Sequence, residues 1–321
     1  MSATATTSYP AGRNRWHHPL IWLSLAMAGS ALATLAGLIF DTRLLDGAPI
    51  WAKPFKFSAS ILIYAVTLSW LLGQLPRWRR LAWWAGTVTA VFLAVEMVII
   101  GGAAAAGNTS HFNVSTPLAA GLWSVMAASI VIVWLAALLV ALLLFRAPLG
   151  DPARSLSIRA GLVIALIGMA LAFLMTGPTA DQLNSFRGIA GAHTVGLPDG
   201  GPGLPLLGWS TAAGDLRVPH FVGMHALQLI PLTALLLELG ARRIPLLRAA
   251  GTRLGLLWIL VMSYLGALAL LTVQALAGQS VVRPDAAVTT WGVTLLAAAG
   301  VAAVVVLTRG RRAVVVQRLA A

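Results

Sequence analysis

The chain has 321 residues, 59% of them hydrophobic and only 10% charged, against about 25% charged residues in a soluble domain. That composition belongs to a polytopic membrane protein, and the absence of cysteine excludes disulfides, thiolate metal sites and cysteine catalysis. The net charge of +13 comes almost wholly from arginine, gathered in short loops on one side of the chain, so it reads as the positive-inside pattern and not as nucleic-acid binding.

A polar Ser/Thr-rich stretch opens the sequence and leads into an apolar run of about 20 residues. That run is too long for the core of a signal peptide, so it is expected to stay as a helix. Eight segments reach spanning length: Leu20 to Phe40, Phe57 to Leu75, Leu81 to Gly107, Leu118 to Phe145, Ala160 to Gly177, Pro219 to Ala241, Leu254 to Gly278 and Thr289 to Thr308. The expected fold is therefore all-α, a single membrane domain of about eight transmembrane helices with the lipid bilayer as its main partner.

Orientation follows from the loops. Sixteen of the 22 Lys and Arg fall on one side (Arg13, Arg15, Arg77 and Arg79 among them) and six on the other, where Asp41, Asp46, Asp181, Asp199, Asp215 and Asp285 also lie. Both termini are thus expected to be cytoplasmic. Tryptophans at both interfaces, such as Trp83 and Trp258 inside and Trp51 and Trp291 outside, read as an aromatic belt. The loop over 178–218 is about 40 residues, far longer than an ordinary connection. It is rich in Gly and Pro yet carries Leu206, Leu207 and Trp209, so it is expected to fold as an extracytoplasmic cap. A weak four-plus-four helix repeat is suggested by Pro54 and Pro219 at two helix starts and by Ala-Gly-Asn and Ala-Gly-Gln at two helix ends (106–108 and 277–279).

In a lipid-buried core each polar side chain needs a partner or a cavity, so the polar residues are the informative ones. Glu238 reads as an ordinary helix ion pair with Arg242 four residues on. Glu96 lies about 22 Å into the third helix, past the midplane, where a lone carboxylate is costly. It is a candidate metal ligand, proton relay or general base, with Lys53 or Lys56 as a structural partner in the alternative. His111, His193, His220 and His225 all fall on the outer side. His17 and His18 flank the cytoplasmic start of the first helix and read as interfacial.

The stretch Gly214 to Gln228 concentrates the outer polar groups. His220 and His225 are five residues apart, about 140° around a helix, so they are not a paired-ligand motif. His225 and Gln228 share a face, and His220 is expected to point into the cap. Candidate catalytic residues are Glu96, His225 and Asp215; Asp215 and Arg217 could pair with each other or reach Lys53, Arg187 or Asp181. Candidate metal ligands are His111, His193, His220, His225 and Glu96; with Gln228 in place of Glu96 the same set could hold a cofactor. A divalent metal such as zinc or a haem would suit neutral imidazoles. In helix count and histidine placement the chain is similar in outline to haem A synthase, with no motif matching residue by residue. A small-molecule or lipid ligand at the extracytoplasmic face would suit the same site. The other classes in play are a proton-coupled transporter or permease and a non-catalytic scaffold or sensor. Because polar residues are expected to stop halfway across, a blind site is favoured over a through-pathway.

Overall fold

The computed structural model describes residues 16–45 and 47–319, with side chains described as far as residue 312. Arg13, Arg15, Asp46 and the side chain of Arg318, used in the charge count, lie outside the described residues. Nine α-helices are described, eight of them long and apolar enough to cross a membrane. They are α1 (His18–Phe40), α2 (Ala52–Gly73), α3 (Arg79–Ala105), α4 (Pro117–Phe145), α5 (Pro152–Leu171), the short α6 (Ala180–Asn184), α7 (Arg217–Gly240), α8 (Ala250–Leu276) and α9 (Ala286–Leu319). The fold is that of an all-α polytopic membrane protein.

Caps explain why several helices begin earlier than hydropathy suggests. Asp151 accepts hydrogen bonds from the backbone N–H groups of Ala153 and Arg154 at 2.8 and 3.2 Å, and Pro152 fills the first turn. That cap starts α5 eight residues before Ala160, the expected start. Helix α4 has Thr116 accepting from Ala119, again followed by proline. The Ala-Gly-Asn and Ala-Gly-Gln ends of α3 and α8 are one C-capping motif. Gly107 and Gly278 take φ of +70° and +74°, and the next N–H bonds back five residues, Asn108 to Ala103 and Gln279 to Gln274. Many helices end this way, so the shared tripeptide has a local cause.

Helix α1 packs on α2 and α3, α3 on α4, α4 on α5, and α5 on α7 and α8; α9 packs on α8 at the rim. The contact of α5 with α7 is the closest. A Cβ on Gly168 would lie 2.4 Å from the Gly223 backbone, and one on Gly161 would lie 3.3 Å from the Pro231 ring. Small residues let helix backbones approach in lipid, where dispersion and hydrogen bonds replace the hydrophobic effect. At the arginine-rich end of this interface Arg154 forks onto Glu238, with Nε to Oε1 at 3.1 Å and Nη2 to Oε2 at 2.6 Å. The expected Glu238–Arg242 pair is thus corrected: the closely packed neighbouring helix offers a two-bond partner, which a helix neighbour four residues on does not.

The long loop is folded. Strands β1 (Leu44–Leu45) and β2 (Ala48–Pro49) form a small hairpin before α2, and within the long loop β3 (Thr194–Val195) pairs with β4 (Gly214–Asp215). Val114 donates to Gly188 and Ala190 to Phe112, which stitches the α3–α4 connection to the long loop, and Ala192 donates to Met175 just beyond α5. Phe112, Met175, Leu216 and Ala275 form a small apolar core beneath it. A cap therefore closes one end of the bundle, called here the cap end; the arginine-rich end is opposite.

Candidate functional site

The entry to α7 is tied down by charge. Asp215, whose side chain has 0% exposure, receives Arg217 Nε at 2.9 Å on one oxygen and Arg217 Nη2 at 2.6 Å on the other. The same carboxylate accepts the backbone N–H groups of Ser210 and Arg217. Arg217 also donates to the carbonyl of Gly208, and Lys56, from the second turn of α2, donates to the carbonyl of Leu207 151 residues away, both at 2.6 Å. The turn over 207–210 is thereby clamped to α2 and α7. Of the partners open to it, Asp215 takes Arg217, and both its oxygens are occupied. It fastens the cap.

Each cap-end histidine is anchored through Nδ1. His193 donates from Nδ1 to Asp199 at 2.6 Å, and its backbone N–H bonds the same carboxylate. His220 donates from Nδ1 to the carbonyl of Gly168 at 2.8 Å. That bond exists because α5 and α7 touch at glycine, and it turns His220 toward α5, not into the cap as the sequence suggests. His225 Nδ1 meets Gln228 Oε1 at 3.2 Å, so these two do share a face. The Phe221 ring lies 4.2 Å from the imidazole of His225 and 5.5 Å from Trp209 of the cap. His111 Nδ1 lies 3.0 Å from Ser110 Oγ, with its ring among Phe57, Phe112 and Trp123.

An imidazole that donates from Nδ1 keeps a lone pair on Nε2 while neutral. Neutrality is favoured for the two histidines outside the spans. Burial, then the charge of Lys53, then His193 push the pKa of His111 well below the ordinary value. Burial also lowers that of His193, outweighing its bond to Asp199. Burial works to raise Asp199, but hydrogen bonds from His193 and Thr194 hold its carboxyl far below the usual carboxylate range. His193 and Asp199 are therefore a neutral base and an ionised orienting carboxylate.

Glu96 is 1% exposed, and neither carboxylate oxygen has a hydrogen-bond partner. It lies within electrostatic range of Lys53, as His111 and His193 do. His225 Nε2 and Gln228 Nε2 are likewise buried and unpartnered.

The shared metal shell expected from His111, His193, His220, His225 and Glu96 does not form. Among the described residues no three His, Asp or Glu side chains gather as a group able to hold a metal ion. Each has a partner of its own: His193 has Asp199, His220 the carbonyl of Gly168 on α5 and His225 Gln228, while Glu96 sits on α3. Sequence reading missed Lys56 as a cap clamp and Gly168 as the seat of His220. It also missed His17, which is buried at the arginine-rich end. There His17 Nδ1 caps α1 by accepting from Leu20 and Nε2 donates to the carbonyl of Trp83 at 2.9 Å. No family model, no curated protein and no solved structure matches the chain.

Proposed function

We propose that the chain is a multi-pass protein of the cell membrane, with both termini cytoplasmic and the cap outside, whose cap end binds a small polar or lipid ligand and exchanges protons with it. The arginine distribution supports the orientation. One observation carries the function. His193, His220 and His225 each commit Nδ1 to a protein acceptor, which leaves Nε2 as a lone-pair donor beneath the cap. Fixing one nitrogen sets the tautomer and aims the other, the usual preparation of an imidazole for general-base work or ligation. Glu96 adds a buried carboxyl with two unused oxygens, and Lys53 adds a neighbouring cation. A small acidic or hydrogen-bonding molecule fits that set better than a bare metal ion, which needs its ligands gathered around one point.

A second reading, haem, is favoured by the His220–Gly168 bond alone. Such a bond from Nδ1 to a backbone carbonyl is how axial histidines are oriented, and haem needs one or two imidazoles, not three.

Native mass spectrometry of protein released from nanodiscs tests both. Wild-type protein is expected to carry a bound small molecule that His225→Ala and Glu96→Gln lose. Bare protein in every sample would overturn the ligand reading. A Soret band in the absorption spectrum would assign the molecule as haem, and its absence from a loaded sample would remove that reading.

A further inference from the structure

The polar groups do not stop halfway. Tyr64 on α2 and Thr89 on α3 are 7% and 1% exposed, and neither the Tyr64 hydroxyl nor the Thr89 hydroxyl has a hydrogen-bond partner. Buried polar atoms are nearly always partnered, by protein or by water. Two orphans on neighbouring helices, with both Glu96 oxygens, are a concentration that needs a cause.

Their positions form a line. Among the buried residues of α3, Ala82, Gly86, Thr89, Leu93, Glu96 and Ile100 follow one another in steps of three and four along one face. A Cβ on Gly86 would meet Leu72 of α2 and the ring of His17, the cap of α1, so at this level the stripe faces those two helices. Leu72 opposite Gly86 sets the antiparallel register of α2 against α3. Ser69 then stands level with Thr89. Tyr64 stands about five residues, or ~7 Å, nearer the cap, and about two residues, or ~3 Å, short of Glu96. Ser69 accepts the His17 backbone N–H at 2.8 Å, and the Thr87 hydroxyl lies 3.3 Å from His17 Nε2. Polar atoms thus recur from Lys53 at the cap end, through Glu96, Tyr64 and Thr89, to Ser69 and Thr87 at the arginine-rich end. By the same register the axial intervals to be bridged by water are ~7 Å from Thr89 to Tyr64 and ~13 Å from Glu96 to Lys53.

We propose that this line is a proton-conducting track through the α1–α2–α3 part of the bundle. Hydroxyls and water each donate one proton as they accept another, so they pass charge along without net chemistry. Glu96 is the group that takes up and gives back the proton: one proton enters at one end, one leaves at the other, and every carrier returns to its starting state. The inference stands apart from the ligand reading, because the track needs no ligand to conduct.

The protein reconstituted in vesicles, with an enclosed pH dye and a potassium–valinomycin potential, gives the test. Wild-type vesicles are expected to take up protons faster than protein-free vesicles. Thr89→Val, which keeps the shape and removes the hydroxyl, and Tyr64→Phe should each lose that excess, as should Glu96→Gln. Ser129→Ala should keep it, because that buried hydroxyl already bonds the Val125 carbonyl at 2.7 Å. A thermal midpoint matching wild type establishes that each variant is folded; if Tyr64→Phe is not, Thr89→Val decides alone. Wild-type uptake no faster than protein-free vesicles, or an excess unchanged in folded Thr89→Val, overturns the track. Wild-type protein that carries no bound molecule, with proton uptake intact, would count against the ligand reading only.

Discussion

The contact of α5 with α7 and the contact of α2 with α3 solve the same problem in opposite ways. Along α5 and α7, Gly161, Gly168 and Gly223 bring the backbones together until a single methyl would not fit. Two polar groups join the helices there, His220 to the carbonyl of Gly168 and Glu238 to Arg154. Along α2 and α3 the buried stripe carries Tyr64, Thr89 and Glu96, whose hydroxyls and carboxylate have none. One contact is closed by glycine; the other leaves buried hydroxyls and a carboxyl without protein partners. In a membrane, where no bulk water relieves an unpaired group, the proposed track makes the first a scaffold and the second a pathway.

The sealed contact should be the more fragile. Gly168→Leu must force α5 and α7 apart and break the His220 anchor, at a cost of about 3 kcal/mol or more. Unfolding in detergent would measure it, with Gly121→Leu as the control, since a Cβ at Gly121 meets nothing. Equal stability of the two variants would dissolve the comparison.

The cap end should respond to acid. Burial holds the folded pKa values of His111 and His193 below the ordinary imidazole value of about 6.5, so the unfolded chain binds more protons once pH falls past that value. Their contribution is complete above about pH 6.5 and is lost as pH drops toward the folded values, by up to about 1.4 kcal/mol per group for each pH unit in between. Thermal midpoints from pH 7.5 down to 5.5 should therefore fall, and His111→Phe should flatten the slope. A midpoint that rises on acidification would reverse the sign and refute the neutral-imidazole assignment.

The smallest effect is expected at Glu96. A protonated carboxyl left without a partner in a dry core costs about 1–3 kcal/mol, and an ionised one more, which an apolar replacement would recover. If water already satisfies Glu96, Glu96→Leu should shift stability by less than about 1 kcal/mol. A gain near 3 kcal/mol in chemical denaturation would make the α2–α3 contact as dry as α5–α7.

Hydropathy made the eight spans legible, because length and apolarity decide what can cross a bilayer. The helix starts were less so: Asp151 and Pro152 cap α5 inside a stretch too polar to register as a span. At the site, residue spacing revealed the His225–Gln228 pair and the separation of His220 from His225, since both are properties of one helix. It could not reveal the Gly168 seat 52 residues from His220, the Arg154 partner 84 residues from Glu238, or the Lys56 clamp. Those depend on which helices touch. His17 looked interfacial because it adjoins Trp16 and His18, yet it is folded inward as the cap of α1. Tyr64 and Thr89 escaped notice because hydroxyl residues are common in helices and bond their own carbonyls, as Thr67 does to Ile63; only burial without a partner sets them apart.

Because the chain has no cysteine of its own, one added thiol can tell wet from dry directly. Silver ion, close to water in size, should react from solution with Thr89→Cys in the folded protein. It should leave Ala226→Cys, placed on the α7 surface that faces α5 and 0% exposed, untouched until the protein is unfolded. Equal inertness of the two thiols would contradict a water-filled line between α2 and α3.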